Sequence, residues 1–149
     1  MPKPSYRGSC LCGKCSYEVN GPLRSVIACH CRQCRKQTGH YLAATRAKHR
    51  DFRLVSSKPL RWYRASPSAQ RGFCSDCGSI LFWQAEGRKE ISITAGTLDG
   101  ATGLKTESHI YCASRGDYYQ LPHDGKKYAA EPAKPLQSLG PPRGRRRRR

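Results

Sequence analysis

The sequence lacks long apolar runs and any segment typical of export. Its longest stretch of large apolar residues, Ile80 to Trp83, is the length of a strand, whereas a transmembrane helix needs about 20 such residues. The residues from Met1 to Tyr6 include two prolines and lead into no apolar segment, so they do not resemble a secretory signal peptide. We therefore expect a cytoplasmic protein that does not insert into a membrane.

Fully apolar aromatic residues and Trp are also few, with three Phe and two Trp among 149 residues. A single domain of this length folds around a modest core, and such a core gains from a metal ion or a disulfide. Nine cysteines are available. Because cytosolic thiols stay reduced, and because an odd number suits a disulfide framework poorly, clustered cysteines indicate metal ligands or catalytic groups.

Acidic residues are few, ten against 28 basic ones, which gives a formal net charge of +18. Residues 131–149 contribute +6, so residues 1–130 carry +12 by themselves. This balance favours an anionic partner, whether an acidic small molecule, a nucleic acid or an anionic surface.

Short strands separated by turn residues dominate residues 1–130. Each candidate is rich in aromatic or β-branched residues and is bounded by residues typical of turns. No window has a sustained helical period, although one helical turn is predicted at residues 32–36. The pattern predicts a mainly β domain. The candidate strands are Ser16–Val19, Tyr41–Thr45, Phe52–Val55, Leu60–Arg64, Gly72–Cys74, Ile80–Trp83 and Ile91–Ala95.

Residues 131–149 form a tail rich in Pro and Arg that ends in five arginines. Such a composition cannot bury enough apolar surface to offset the loss of chain entropy, so we predict a disordered tail. The arginines can contact nucleic-acid phosphates non-specifically through charge alone, or they can form a solvated terminus without a partner.

The cysteines follow metal-binding spacings. Cys10, Cys12 and Cys15 form C-x-C-x2-C, and the same spacing recurs in the three-cysteine cluster, which comprises Cys29, Cys31 and Cys34. Cys74 and Cys77 form C-x2-C, and Cys112 stands alone. Zn²⁺ takes four ligands in a tetrahedron, and two cysteines separated by two residues can bind one ion. Gly78 suits the positive φ that closes such a turn.

Ligand counting suggests how two ions would divide these sulfurs. A structural zinc needs four protein ligands, whereas a catalytic zinc needs three and an open position. The Cys74–Cys77 pair requires a second pair, which the N-terminal group can supply. That division leaves the three-cysteine cluster for a second ion, and spacing alone does not decide whether a fourth protein ligand closes it.

Three segments together resemble the glutathione-dependent formaldehyde-activating (GFA) family, also called the CENP-V/GFA domain. They are Gly8–Gly13, Cys29–Lys36 and Gly72–Ser79. The later segments Ala95–Asp99 and His109–Tyr111 also fit, and the resemblance covers roughly residues 5–125 in the same order. Cys15 and Cys112 depart from the family pattern, and the Arg-rich tail lies outside it.

The resemblance implies a mainly β, Mss4-like fold that binds two Zn²⁺ ions per chain. It assigns Cys10, Cys12, Cys74 and Cys77, here called the four-cysteine cluster, to a structural zinc, and the three-cysteine cluster to a catalytic one. It also implies a carbon–sulfur lyase similar to S-(hydroxymethyl)glutathione synthase, whose substrate is a small thiol or its aldehyde adduct.

The hypothesis places a thiol at the open position of the second ion, where it loses its proton and adds to an aldehyde such as formaldehyde. Arg32, Arg35 and Lys36 lie beside the zinc ligands in the sequence and are candidates for binding the carboxylates of a glutathione-like substrate. The competing interpretation of these three residues is a solvated basic turn.

The sequence also allows other interpretations of the second metal site. Cys15, Cys112 or His30 can close the second site as a fourth ligand, which would make both zincs structural. The protein would then be a non-catalytic zinc module for a protein or nucleic-acid partner, or a metal or redox sensor. For His30 we favour a surface or hydrogen-bonding role over ligation, and for His109 a structural role. We expect the aromatic residues Trp62, Tyr63, Phe82 and Trp83 to lie in the core.

Overall fold

The computed structural model describes residues 2–132, and these form eleven strands and one short α-helix. The single helix, α1, spans Arg32–Thr38. Three 3₁₀ helices lie at His49–Asp51, Ala95–Thr97 and Cys112–Ser114. The strands are β1 (Ser5–Ser9), β2 (Ser16–Asn20), β3 (Val26–Cys29), β4 (Leu42–Lys48), β5 (Phe52–Ser56), β6 (Leu60–Ser66), β7 (Ala69–Cys74), β8 (Ile80–Ala85), β9 (Glu90–Thr94), β10 (Thr106–Ile110) and β11 (Lys126–Lys127).

The strands form two sheets, and the predicted mainly β fold is confirmed. The smaller sheet has the order β1-β2-β5, and the larger has the order β11-β10-β3-β4-β9-β8-β7-β6. Most pairs are antiparallel, which short connections permit, but β10 pairs in parallel with both β3 and β11. Each predicted strand is present, and the predicted helical turn extends to Thr38.

The core contains side chains from both sheets. Tyr17 and Val19 of β2 belong to the same buried cluster as Leu81 and Phe82 of β8 and Ile93 of β9. Tyr17 meets the rings of Phe52 and Phe82 at 5.8 and 5.4 Å between centroids. Three cysteines also belong to this cluster, so the core extends to the end of the domain that holds Cys10, Cys15 and Cys74.

The expectation that four aromatic residues lie in the core holds fully for Phe82 alone. Tyr63 is 64% exposed and Trp62 is 38% exposed, while Trp83 is half-buried. The reason is their position in the sheet. β6 is an edge strand with a neighbour on one side only, and its alternate side chains point to opposite faces. Trp62 stacks on Phe82 at 6.1 Å, whereas Tyr63 lies on the opposite face of the sheet, in register with Arg71.

The predictions about membrane insertion and about the tail can be compared only with the residues that the structure describes. No helix within residues 2–132 is long and apolar enough to cross a membrane. The predicted disordered tail, residues 131–149, lies outside the described residues apart from Glu131 and Pro132.

Gly8 of β1 permits the close approach of the Tyr17 ring on β2 and of the 3₁₀ helix Ala95–Thr97. A Cβ at this position would lie 2.6 Å from the Thr97 carbonyl oxygen and would overlap the Tyr17 hydroxyl, which is hydrogen-bonded to Thr97 Oγ1 at 2.7 Å. We expect Gly8→Ala to destabilise the protein by about 1–3 kcal/mol, because the buried backbone and ring must shift. Thermal unfolding followed by circular dichroism would measure the loss.

The matched control for this substitution is Gly96→Ala. A Cβ on Gly96 meets no atom within 4 Å, so the added methyl group should leave stability unchanged or raise it by up to about 1 kcal/mol. Equal melting temperatures for the two variants would contradict the packing argument.

Candidate metal centres

Two tight turns build the four-cysteine cluster. Cys10 and Cys12 lie in the turn after β1, where Gly13 N–H donates to the carbonyl of Cys10 at 3.1 Å. Cys74 ends β7, and Gly78 N–H donates to its carbonyl at 2.8 Å. Gly78 has φ +77°, as its place after Cys77 predicted, because only glycine adopts this conformation without strain. The cluster therefore joins the β1–β2 turn to the β7–β8 turn.

The sulfur separations in this cluster fit a tetrahedral metal–thiolate site. Cys10 Sγ and Cys12 Sγ are 3.5 Å apart, and Cys12 Sγ and Cys74 Sγ are 3.8 Å apart. All four sulfurs lie within 4.8 Å of one another. A tetrahedron with metal–sulfur bonds of about 2.3 Å has sulfur–sulfur edges of about 3.8 Å. The four-cysteine cluster can therefore hold a metal ion without rearrangement.

Neighbouring groups favour the thiolate form of two of these cysteines, Cys10 and Cys77. The Ser79 hydroxyl lies 3.2 Å from Cys77 Sγ, and this hydrogen bond is the main reason that the pKa of Cys77 is lowered to about 5. The backbone N–H of Cys15 donates to Cys10 Sγ at 3.2 Å. Lys14 lies close by, where it pairs with Asp76 at 2.8 Å. A metal binds the thiolate form, so these contacts prepare the site for one.

The three-cysteine cluster forms where β3 passes into α1. Cys29 is the last residue of β3, and Cys31 is the N-cap of α1, with Sγ accepting a hydrogen bond from Cys34 N–H at 3.4 Å. Cys34 lies one helical turn after Cys31 and faces the same side. Gly39, with φ +78°, ends the helix by donating its N–H to the carbonyl of Arg35. Local geometry alone thus brings the three sulfurs together.

The sulfurs of the three-cysteine cluster also lie within 4.8 Å of one another, so this cluster can hold a metal ion as well. Among residues 2–132, no further Cys, His, Asp or Glu joins it. Hydrogen bonds from Cys29 and then Cys34 lower the pKa of Cys31 to about 2, whereas the bond to Cys31 raises the pKa of Cys29. The bond from Cys29 lowers the pKa of Cys34, but the bond to Cys31 and burial outweigh it and raise that pKa, so Cys31 is the favoured thiolate of the three.

Arg71 contacts the three-cysteine cluster, and the sequence analysis missed it. It lies on β7, 6% exposed, and its guanidinium nitrogens Nη1 and Nη2 are 3.7 and 3.6 Å from Cys34 Sγ. It also donates to Gln37 Oε1 at 2.7 Å and to Gln33 Oε1 at 3.3 Å. The alternation along β7 was the only available signal, since Arg71 points to the face opposite Gly72, which packs on the core residue Phe82.

The three predicted substrate-binding residues all belong to α1 but differ in exposure. Arg32 and Lys36 are exposed, whereas Arg35 is half-buried and its Nε donates to the Ser114 carbonyl at 2.8 Å. Arg35 thus fastens α1 to the loop after β10. All three lie within a helical turn or two of the cluster, so their role in binding stays a prediction.

His30 has a hydrogen-bonding role and is fully buried rather than at the surface. Its Nδ1 lies 2.5 Å from the Tyr119 hydroxyl, and its Nε2 lies 2.9 Å from His109 Nδ1. His109 Nε2 lies 2.9 Å from Asp124 Oδ1. A carboxylate only accepts, so His109 donates to Asp124, His30 donates to His109, and Tyr119 donates to His30. Burial lowers the pKa of His30 to about 4, so its side chain is neutral at neutral pH within this row of hydrogen bonds.

None of the three alternative fourth ligands joins the three-cysteine cluster in the described chain. Both nitrogens of His30 are engaged in hydrogen bonds. The Cys112 thiol donates to the carbonyl of His109 at 3.5 Å. Cys15 is buried beside the four-cysteine cluster, where burial raises its pKa to about 12. The structural expectation for His109 agrees with its two hydrogen bonds.

Tyr111 is the one residue other than glycine with positive φ among residues 2–132, at +55°. A bulky residue in this conformation is strained, and such strain is frequent near functional sites. Burial, then the charges of Glu131 and the Cys29 and Cys31 sulfurs, raise the pKa of Tyr111. Its phenol thus lies near the three-cysteine cluster, with the hydroxyl 3.2 Å from Glu131 Oε2.

The fold and the two clusters define a class of protein: a mainly β domain with one four-sulfur and one three-sulfur candidate metal centre. Similarity to known protein families narrows this class. A family model described as glutathione-dependent formaldehyde-activating enzyme matches residues 5–114. The chain belongs to this family, as its three cysteine motifs predicted.

Two similar proteins agree with this assignment. An uncharacterized lyase of Schizosaccharomyces pombe is 23% identical over 119 residues, which are 79% of this chain and 86% of the relative. A crystal structure of a Rhodobacter sphaeroides protein superposes with a TM-score of 0.55 at 26% identity, over 64% of this chain and 90% of that one. Family membership and the lyase relative support a lyase in general terms.

Proposed function

We propose that this protein is a zinc-dependent carbon–sulfur lyase that makes and cleaves thiol–aldehyde adducts of the glutathione–formaldehyde type. In this proposal the four-cysteine cluster holds a structural zinc and the three-cysteine cluster holds a catalytic zinc. Both assignments rest on soft thiolate donors, which select zinc among the common divalent ions of the cytosol.

One observation carries the proposal, namely the different number of ligands in the two clusters. Four sulfurs complete a tetrahedral site, whereas the three-cysteine cluster has no fourth Cys, His, Asp or Glu among residues 2–132. Three protein ligands and one position for water or substrate are the pattern of catalytic zinc. The second cluster is therefore the candidate for chemistry.

When bound there, zinc would supply a Lewis acid at which a thiol exists as its thiolate. The protein's own residues hold the three sulfurs: Cys29 at the end of β3, and Cys31 and Cys34 on one side of α1. The thiol sulfur forms a bond to the aldehyde carbon, and the thiol proton ends on the aldehyde oxygen. The reverse reaction breaks the carbon–sulfur bond. No oxidant or further reactant is needed.

The basic residues of α1 are the proposed substrate-binding group. Arg32 and Lys36 are exposed beside the cluster, and they would pair with the carboxylates of a glutathione-like thiol. Arg35 is anchored to Ser114 through Nε and keeps its terminal nitrogens for a ligand. A net charge of +12 over residues 1–130 attracts an anionic substrate to this surface.

The proposal is tested by the rate at which adduct and free reactants interconvert. Full-length, zinc-loaded protein is mixed with ¹³C-formaldehyde and a thiol, and the exchange rate is measured by NMR against the uncatalysed rate. We expect glutathione to be accelerated strongly, with a lower KM than the uncharged 2-mercaptoethanol, because only glutathione can pair with the α1 cations.

Two variants test whether the α1 cations bind the substrate. Arg32→Ala combined with Lys36→Ala should raise the KM for glutathione several-fold without changing the KM for 2-mercaptoethanol, while Arg53→Ala, an exposed arginine on β5, should change neither. Failure of the zinc-loaded protein to accelerate exchange with any thiol would overturn the lyase proposal. An equal KM effect on both thiols would overturn the role given to Arg32 and Lys36.

A further inference from the structure

We infer that Arg71 is a positioning residue that neutralises the three-cysteine cluster, so that a metal held there accepts an anionic fourth ligand. This inference deepens the proposed function and rests on it, because it assumes that the cluster holds a divalent ion. It concerns a residue of β7, on a strand distant in sequence from the three cysteines.

Arg71 is a buried cation whose terminal nitrogens contact a sulfur that a metal ion would hold as a thiolate. Both terminal nitrogens face Cys34 Sγ, and the other partners, Gln33 and Gln37, are neutral amides. No carboxylate lies within 4.0 Å of its guanidinium in the part of the chain that the structure describes. Its Nε–H is buried and has no hydrogen-bond partner there.

A buried charge without a partner of opposite sign is strongly unfavourable. The exposed residues Arg53 and Arg64 pair with Glu18 and Glu86, but Arg71 has no carboxylate partner among residues 2–132. The Cys34 sulfur is thus the group that balances Arg71. The two glutamines hold the guanidinium in place and leave its charge unreduced, so the balancing charge would come from Cys34 bound to a metal ion as its thiolate.

Charge counting then explains what Arg71 does for the site. A divalent ion with three thiolates has a formal charge of −1, which Arg71 brings to zero. Binding of a thiolate would make the net charge of the site −1 when Arg71 is present and −2 when it is absent. Because the site is partly buried, where charges are weakly screened, the difference falls mainly on the affinity for the anionic fourth ligand.

The test uses full-length protein loaded with two equivalents of Co²⁺, whose thiolate charge-transfer bands report the sulfur ligands. Addition of 2-mercaptoethanol is followed by absorption in the wild type and in the Arg71→Met, Arg71→Lys and Arg24→Met variants. Arg24 is the matched control, since it is equally buried, at 6% exposed, and bonds the Ala44 carbonyl.

We expect Arg71→Met to weaken thiol uptake by about 10–100-fold, the range typical of lost outer-shell partners of a metal site. Its charge-transfer band should move to lower energy, because the sulfur loses hydrogen bonds. Arg71→Lys should recover part of the affinity, since it keeps the charge without the planar fork, and Arg24→Met should match the wild type. Circular dichroism and retention of the ion in the four-cysteine cluster verify the fold.

Wild-type thiol affinity in Arg71→Met would overturn the inference, as would loss of both ions from that variant. Should Arg71→Met not fold, Arg71→Lys decides: a weaker response to thiol supports the inference, and an unchanged affinity and spectrum reject it. Wild-type protein that takes up thiol but does not accelerate adduct formation would refute the proposed lyase and leave this inference standing. Wild-type protein that does not respond to thiol would refute both.

Discussion

Cys77→Ser should leave the domain largely unfolded. The four-cysteine cluster joins the turn after β1 to the turn after β7, two segments more than 60 residues apart in the chain. Binding of a structural zinc by four thiolates contributes about 10–16 kcal/mol in small zinc domains, which is as large as the whole stability of a typical domain. Serine cannot replace the thiolate, so this contribution is mostly lost.

Far-UV circular dichroism, thermal melting and metal analysis would measure the loss. We expect either no cooperative transition or a melting temperature at least about 10 °C lower, together with loss of one of two zinc equivalents. Cys15→Ala is the matched control, because Cys15 is buried beside the same sulfurs but is not a proposed ligand. It should keep two zincs and lose little stability. A Cys77→Ser protein that melts as the wild type does would refute the structural role.

Cys31→Ser should abolish activity while the domain remains folded. This substitution removes one of three proposed ligands, so the second zinc should be lost. It preserves the start of α1, because a serine hydroxyl accepts the Cys34 N–H bond that Cys31 Sγ accepts now, and serine is a favoured N-cap residue. We expect the domain to fold without this ion, because β3 is hydrogen-bonded to β4 on one side and to β10 on the other.

We expect the exchange rate with glutathione and formaldehyde to fall to the uncatalysed rate, with one zinc equivalent retained and the melting temperature within a few degrees of the wild type. Cys112→Ala serves as the control, because Cys112 is a buried cysteine whose thiol donates to the His109 carbonyl and does not join the cluster. It should keep activity and both metals. Full activity in Cys31→Ser, or unfolding equal to that of Cys77→Ser, would refute the assignment of a catalytic zinc to the three-cysteine cluster and a structural zinc to the four-cysteine cluster.

Strands with a clear alternation and a turn signal could be predicted from local sequence. Ser16–Val19 before Asn20-Gly21-Pro22 corresponds to β2, and the helical turn after Cys31 corresponds to α1. Four strands, β1, β3, β10 and β11, were not predicted. β3 and β11 are only four and two residues long. β1 and β10 combine glycine, charged and polar residues without a regular apolar pattern. Both depend on partners elsewhere: β1 pairs with β2, and β10 lies in parallel beside β3.

The metal ligands were predictable for a different reason. C-x-C and C-x2-C spacings bring sulfurs together within one turn, so each half of a site is a local property of the chain. Gly78 at φ +77° is part of the same local geometry. The spacing could not tell whether His30, Cys15 or Cys112 would close the second site, because this depends on where distant strands place each side chain.

The sequence by itself determined the mainly β fold, the two groups of thiols and the basic character of the chain, since period-two patterns, short cysteine spacings and charge are all local quantities. Tertiary structure alone decided that Arg71 balances Cys34, that Asp124 and His109 hold His30 away from a metal, and that Trp62 and Tyr63 are exposed at an edge strand. Each of these depends on contacts between residues far apart in the chain, and such contacts exist only once the two sheets have packed.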